Sequence, residues 1–165
     1  MPITITILNI QRISKEVAAI AIQTMRDNIE KQGHNASGRL SEDIKTTTKF
    51  TSDGISIDVL MYLYGAYVNK GVSRERFRFG GEAHIDALIE WAKVKGITVT
   101  DGNYKSFAFA VVGAHRKQGI PTKASYSFSS NGKRLGFVDD AAADTRAAVF
   151  DFLNVTDFDF QINLT

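Results

Sequence analysis

Lys70, Arg74, Arg76 and Arg78 fall within ten positions of this sequence, interleaved with Phe77 and Phe79 and opposed by Glu75 alone. Cations set between aromatic rings are the side chains that phosphate-backbone and single-strand contacts use. The same six residues serve as well for a solvated rim, or for pairing with acidic side chains on a neighbouring subunit. Four cations are enough for weak, salt-sensitive contact with phosphates, and such contact reads no base sequence. If the loop instead docks on a subunit, arginine forks supply directional carboxylate pairing, and Phe77 and Phe79 are the expected buried anchors. The subunit contact is the preferred reading.

Little else in the chain has the spacing of a reactive site. His34, His84 and His115 are far apart in sequence. Only His34 has a carboxylate at helical ligand spacing, Glu30, and Gly33 is expected to end the helix between them. Ser37, in Ala36-Ser37-Gly38, lacks the glycine two residues earlier that a nucleophile elbow requires. Gly80-Gly81 has neither the Lys-Ser/Thr of a phosphate loop nor the spacing of a dinucleotide fingerprint. Asp139 and Asp140 are accounted for by the start of a helix, whose dipole favours acidic residues there. The expectation is a protein with no catalytic residue, no cofactor and no metal.

The elements that must position these residues follow from periodicity. Between Arg12 and Lys31, Ile13, Val17, Ile20, Ala21, Ile22, Met25 and Ile29 cover about half of a helical wheel, predicting one long helix with a broad buried face. Ile3, Ile5 and Ile7 alternate with threonine ahead of it, as in a half-buried strand. Asp53-Gly54 is a hairpin signal between the Thr- and Lys-rich stretch 44–52 and a strand carrying Ile55, Ile57, Val59, Met61 and Leu63. The other face of that strand starts with Ser56 and Asp58 and ends with Leu60, Tyr62 and Tyr64, continuing toward Tyr67. A strand apolar on both faces must be covered on both, by its own fold or by another subunit. Helices are expected over His84–Lys95, Ser106–Lys117 and Val138–Leu153. Between the last two, the Ser-rich stretch Ala124–Lys133 is expected to be a mobile docking loop. Tyr126 and Phe128 are its apolar anchors, Lys133 and Arg134 its basic end, and it orders on assembly. Phe158, Phe160, Ile162 and Leu164 alternate with polar residues in a terminal strand. The sum is a single domain, residues 1–165, of α+β class: a mainly antiparallel sheet packed by the long N-terminal helix and two or three shorter helices.

Composition sets the outer limits. The 165 residues are 44% hydrophobic and 23% charged, ordinary for a globular chain with one core. Cysteine is absent, which excludes disulfides and thiolate metal sites and permits folding in a reducing compartment. No run approaches the roughly 18 apolar residues of a membrane span, so the expected setting is cytoplasmic. From Phe137 onward six acidic residues face one basic residue, giving −5. The total of +2 leaves +7 on the residues before it. Such asymmetry suits subunits that meet head to tail.

Three stretches, in order and spanning most of the chain, together resemble the head–tail joining proteins of long-tailed bacteriophages, the neck, tail-completion and tail-terminator proteins. The first is the long helix followed by Asn35-Ala36-Ser37-Gly38-Arg39-Leu40-Ser41-Glu42-Asp43-Ile44. The second is Tyr64-Gly65-Ala66-Tyr67-Val68-Asn69-Lys70-Gly71, which is similar to that family's tyrosine-rich strand end before a loop. The third runs from Phe107 through Gly119-Ile120-Pro121 to a loop, Gly136-Phe137 and a helix. Where the family has an acidic or apolar residue and a short Gly-Thr turn, Asn69-Lys70 opens a longer, arginine-rich loop. The resemblance implies a helix-packed antiparallel sheet in a ring-forming, non-enzymatic virion subunit, assembled in the host cytoplasm. Its implied partners are further copies of itself, the head connector or adaptor, the tail-tube proteins and, non-specifically, packaged DNA. A nucleic-acid-binding module working through Arg74–Arg78 is the alternative, and a small hydrolase ranks third.

Overall fold

The helical stripe between Arg12 and Lys31 organises the computed structural model, which describes residues 7–52 and 54–155. Helix α1 spans Ile7–Lys31 and buries Ile13, Ala21, Met25 and Ile29 along one face. It stops at Gly33, whose φ of 71° is left-handed. The His34 N–H donates to the Ile29 carbonyl (2.9 Å) and the Gly33 N–H to that of Glu30 (2.7 Å), the paired closure that glycine permits at a helix end. After α1 come α2 (Arg39–Glu42), β1 (Lys45–Thr51), β2 (Gly54–Leu60), α3 (Leu63–Lys70), α4 (Gly81–Val94), α5 (Tyr104–Gln118) and α6 (Phe137–Val155). Tight 3-10 turns cover Thr100–Gly102 and Lys123–Phe128. The class is α+β, with one antiparallel strand pair among the described residues. The three later helices lie within a few residues of their expected bounds. The alternating segment that starts at Ile3 and the terminal segment from Phe158 to Leu164 lie outside the described residues. Ile7, expected as a strand residue, opens α1.

Helices α1 and α6 form an antiparallel pair. Ile13 shares a cluster with Val149 and Leu153, whereas Met25 and Ile29 share one with Phe137 and Ala141. Beside these apolar contacts runs a polar ladder at four-residue spacing along α1 and the turn that ends it. Thr24 and Thr145 hydroxyls meet at 2.5 Å, the Asn28 amide donates to Asp144 (2.8 Å), and the Gln32 amide donates to Asp140 (3.1 Å). Buried amides must find acceptors, so this ladder fixes the axial register of the two helices. Helices α4 and α5 carry a second core of Ile85, Ala108 and Val112, closed by Phe77.

The strand expected to run on through Tyr64 ends at Leu60, and residues 63–70 turn into α3. Apolar residues on both faces of a short run fit a strand and a helix equally. Packing decides for the helix. Gly65 is buried, a Cβ there would come 2.5 Å from the Met61 sulfur, and Val68 packs on the Met25–Ile44 cluster. Tyr62, Tyr64 and Tyr67 therefore do not line a two-sided strand. Tyr62 sits just before α3, and the other two are on its outer surface.

The Ser-rich stretch is also different from expectation. Its serines close turns upon the backbone: Thr122 and Ser125 form a capping box, and Ser127 donates to Ala124. The Ser130 N–H (2.8 Å) and the Ser129 and Ser130 hydroxyls all donate to the Lys31 carbonyl, and Arg134 donates to that of Gln32 (2.6 Å). The segment caps the orphan carbonyls at the end of α1 instead of standing free. Phe128 packs edge-on against Trp91 at 5.3 Å.

Candidate interaction surfaces

The basic loop leaves α3 at Asn69, which ties it to α6. The Asn69 side chain accepts from the Val138 N–H (2.9 Å), and its carbonyl accepts from the Gly136 N–H. Val72 and Ile120 then exchange two backbone hydrogen bonds (2.7 and 2.8 Å), holding the loop against the end of α5. Within the loop Arg74 pairs with Glu75 at 2.5 Å, and that hydrogen bond is the main cause holding the Glu75 carboxyl down to about 2. Arg78 donates to the carbonyls of Glu75 and Phe77. Lys70 and Arg76 are exposed, with no ion pair among the described residues. Arg116 of α5 lies over the Phe79 ring at 5.2 Å, adding a cation from outside the loop.

Phe77 overturns its expected role. It is 8% exposed and belongs to the α4–α5 core, so it anchors the loop to its own chain and is no free interface residue. Phe79 is the aromatic side chain left at the surface.

Around these rings the fold gathers two histidines that lie 31 positions apart in the sequence. His84 and His115 face each other at 6.3 Å, with Phe77 5.8 and 5.5 Å away and Phe79 5.9 Å from His84. Antiparallel packing of α4 on α5 sets the start of one helix beside the end of the other. Burial, with His84 second, lowers the His115 pKa, and its Nδ1 is buried without a hydrogen-bond partner. Among the described residues no three of His, Cys, Asp and Glu converge as metal ligands would. His34 is likewise set into its surroundings, its ring 5.8 Å from Phe137. Burial first, then Arg134, pull its pKa to about 4.

The most exposed apolar surface lies elsewhere. Leu60, Tyr62, Leu63, Tyr64 and Tyr67 are five large exposed side chains in eight positions, with Leu63 at 78% and Tyr67 at 61%. The Tyr62 and Tyr64 rings stack at 6.3 Å. The α3 turn that hides Gly65 and Val68 is what drives these residues outward. Of the expected docking loop, Tyr126 is exposed and Phe128 is partly buried. Lys133 pairs with Asp140 at 2.7 Å, and Arg134 is held at the end of α1. No helix among the described residues is long and apolar enough to cross a membrane. No family model, curated protein or solved structure matches the chain.

Proposed function

We propose that this chain is a non-enzymatic virion subunit that assembles into a homo-oligomeric ring at a bacteriophage neck, joining the capsid connector to the tail. The observation that carries this reading is the Leu60–Tyr67 surface. Five large apolar side chains so close together are costly to leave in water, each worth about 1 kcal/mol or more on burial. Tyrosine suits such a contact, since its ring is buried while its hydroxyl reaches a polar rim. Closed rings repeat one head-to-tail contact, and the −5 segment following a +7 body supports that polarity. The double variant Leu63→Ser, Tyr67→Ser tests the reading. Both side chains are exposed, so the fold should melt as before while the assembled particles are lost. Particles of unchanged size would refute it.

A second reading rests on the cations. Lys70, Arg74, Arg76 and Arg78 are all exposed, and Arg116 joins them over Phe79. With Phe77 withdrawn into the core, the loop has lost one of its two expected subunit anchors, which favours contact with phosphates. Non-specific binding to DNA that weakens steeply with salt supports this role, and salt-independent binding counts against it.

A further inference from the structure

Helix α5 ends in His115, Arg116 and Lys117, and the fold sets this end beside the arginine-rich loop. Val72 and Ile120 exchange backbone hydrogen bonds, and at Gly119 the two stretches leave no room for a side chain. A Cβ there would come 2.5 Å from the Val72 carbonyl oxygen and 3.1 Å from the Arg74 nitrogen. Residues 70–80 and 115–118 are thereby joined. They carry six exposed cations, Lys70, Arg74, Arg76, Arg78, Arg116 and Lys117, against one acidic residue, Glu75, which is already paired with Arg74. Among these charges Phe79 keeps its ring open to solvent at 38% exposure, whereas Phe77 is withdrawn into the core. The His84 ring stands 5.9 Å from Phe79, backed in turn by Phe77 and His115. The Gly80 N–H donates to His84 Nδ1 (3.4 Å) and helps to hold the imidazole. The Arg116 guanidinium lies over the Phe79 ring, 5.2 Å from its centre, and has no carboxylate partner among the described residues.

We propose that this surface binds single-stranded DNA, with a base stacking on Phe79 in the place that Arg116 now occupies and Arg116 turning to the adjoining phosphate. The inference rests on the second reading above, in which these cations meet phosphates, and it names the form of DNA they meet. In a duplex the faces of the bases are stacked on one another, and a protein reaches only groove edges and the backbone. Cations alone serve for that contact. An aromatic ring held open among cations meets a base face only where the strand is single. Rings stack on any base and phosphates carry no sequence, so the surface is expected to be tolerant of sequence.

Magnitudes favour the exchange. A cation over an aromatic ring at an exposed site contributes about 2- to 5-fold to an equilibrium constant. A base stacked on such a ring contributes about 5- to 150-fold. The displaced guanidinium is not left without a partner, because each base arrives with a phosphate and arginine pairs with phosphate through two parallel N–H donors. Arg116 is free to make that move, since its head is tied to no carboxylate and its side chain is exposed. Phe79 is the fixed member. Phe77, buried with Ile85, Ala108 and Val112, anchors the loop two residues earlier, and His84 stands beside the ring. The platform is therefore set before a strand arrives, which lowers the ordering cost of binding.

Fluorescence anisotropy of the 165-residue chain tests this with a labelled oligothymidine and with a duplex carrying the same number of phosphates. The single strand is expected to bind about tenfold or more tightly than the duplex at equal salt. Phe79→Leu should weaken single-strand binding by about 5- to 150-fold and leave duplex binding within about twofold. Phe79→Tyr keeps a stacking ring and should restore the affinity, which separates lost stacking from a disturbed loop. Arg116→Gln should lower the single-strand salt slope by about 0.7, the share of one phosphate contact. Equal affinity for the two forms, or single-strand binding indifferent to Phe79→Leu, overturns the inference and leaves the reading of the cations standing. Binding to neither form removes both. A salt slope unchanged by Arg116→Gln overturns the exchange at Phe79. An oligouridine bound about tenfold more tightly than the oligothymidine gives the surface to RNA and overturns the assignment to DNA.

Discussion

Helix α6 carries two phenylalanines whose fates should diverge sharply on truncation. Phe137 is 0% exposed and packs among Ile29, Leu40 and Ala141, with the His34 ring on one side. Phe150 lies thirteen positions along the same helix and is exposed. Removing a buried phenyl ring costs about 3–5 kcal/mol, and the cost rises with how poorly the walls can close on the cavity. Here the walls include α1 and α6, whose register is held by the Asn28–Asp144 and Gln32–Asp140 hydrogen bonds. Collapse is resisted, and Phe137→Ala is assigned about 4 kcal/mol, or roughly 8–16 °C in Tm for a chain of this size. Phe150→Ala should fall within about 0.5 kcal/mol of the parent. Urea denaturation followed by circular dichroism measures both. The cavity also opens His34 to water, so its pKa, observed by NMR titration, should climb from about 4 toward the usual 6.5. A loss below about 2 kcal/mol for Phe137→Ala, or similar losses for the two variants, would refute this account of the core.

Acidification should destabilise the fold through His34, which burial, Arg134 and Lys95 keep neutral down to a pKa of about 4. Between there and 6.5 the unfolded chain binds a proton that the folded chain refuses, so stability rises with pH over that window. The ring is partly solvated, which leaves about 1–2 kcal/mol lost on going from pH 7 to pH 4. Buried His115 acts in the same direction. His34→Gln should flatten the urea-midpoint profile, and parallel profiles would contradict the assignment. Gly33→Ala places a Cβ against the Phe128 carbonyl at a φ of 71° and should cost about 1–3 kcal/mol, with faster exchange of the Ser130 amide. An unchanged denaturation midpoint would show that the cap is not fixed there. Arg74→Ser, Arg76→Ser and Arg78→Ser together should leave particle size unchanged and reduce the salt slope of DNA binding by about 3. Particles that fall apart would return the loop to a subunit contact.

What was legible in the sequence is what repeats at a helical period. The stripe from Ile13 to Ile29 and the starts of α4, α5 and α6 carry such a signal, and Asp53-Gly54 marks the hairpin. The failures fall where two signals compete. Residues 55–64 alternate well enough for a strand, and only the tertiary pocket for Gly65 and Val68 bends the second half into α3. The Ser-rich composition of 124–133 points to a mobile loop, and it does not reveal that the Ser129 and Ser130 hydroxyls reach a helix-end carbonyl, which periodicity cannot locate. Phe77 reads as an anchor for a subunit interface because its neighbours are arginines, although a ring among charges can equally point into its own core, as it does here. The pairing of His84 with His115 required knowing that α4 and α5 pack antiparallel, which the separate helices do not state.

The central claim is that this chain works as an assembled ring, and the most direct test is the solution mass of the purified 165-residue chain. Multi-angle light scattering at physiological salt, with cryo-electron images of the same fraction, should give one species many times the 18.2 kDa of the chain. The images should show closed rings. A single species of 18.2 kDa that persists across the accessible concentration range, with no rings in the images, would contradict the claim.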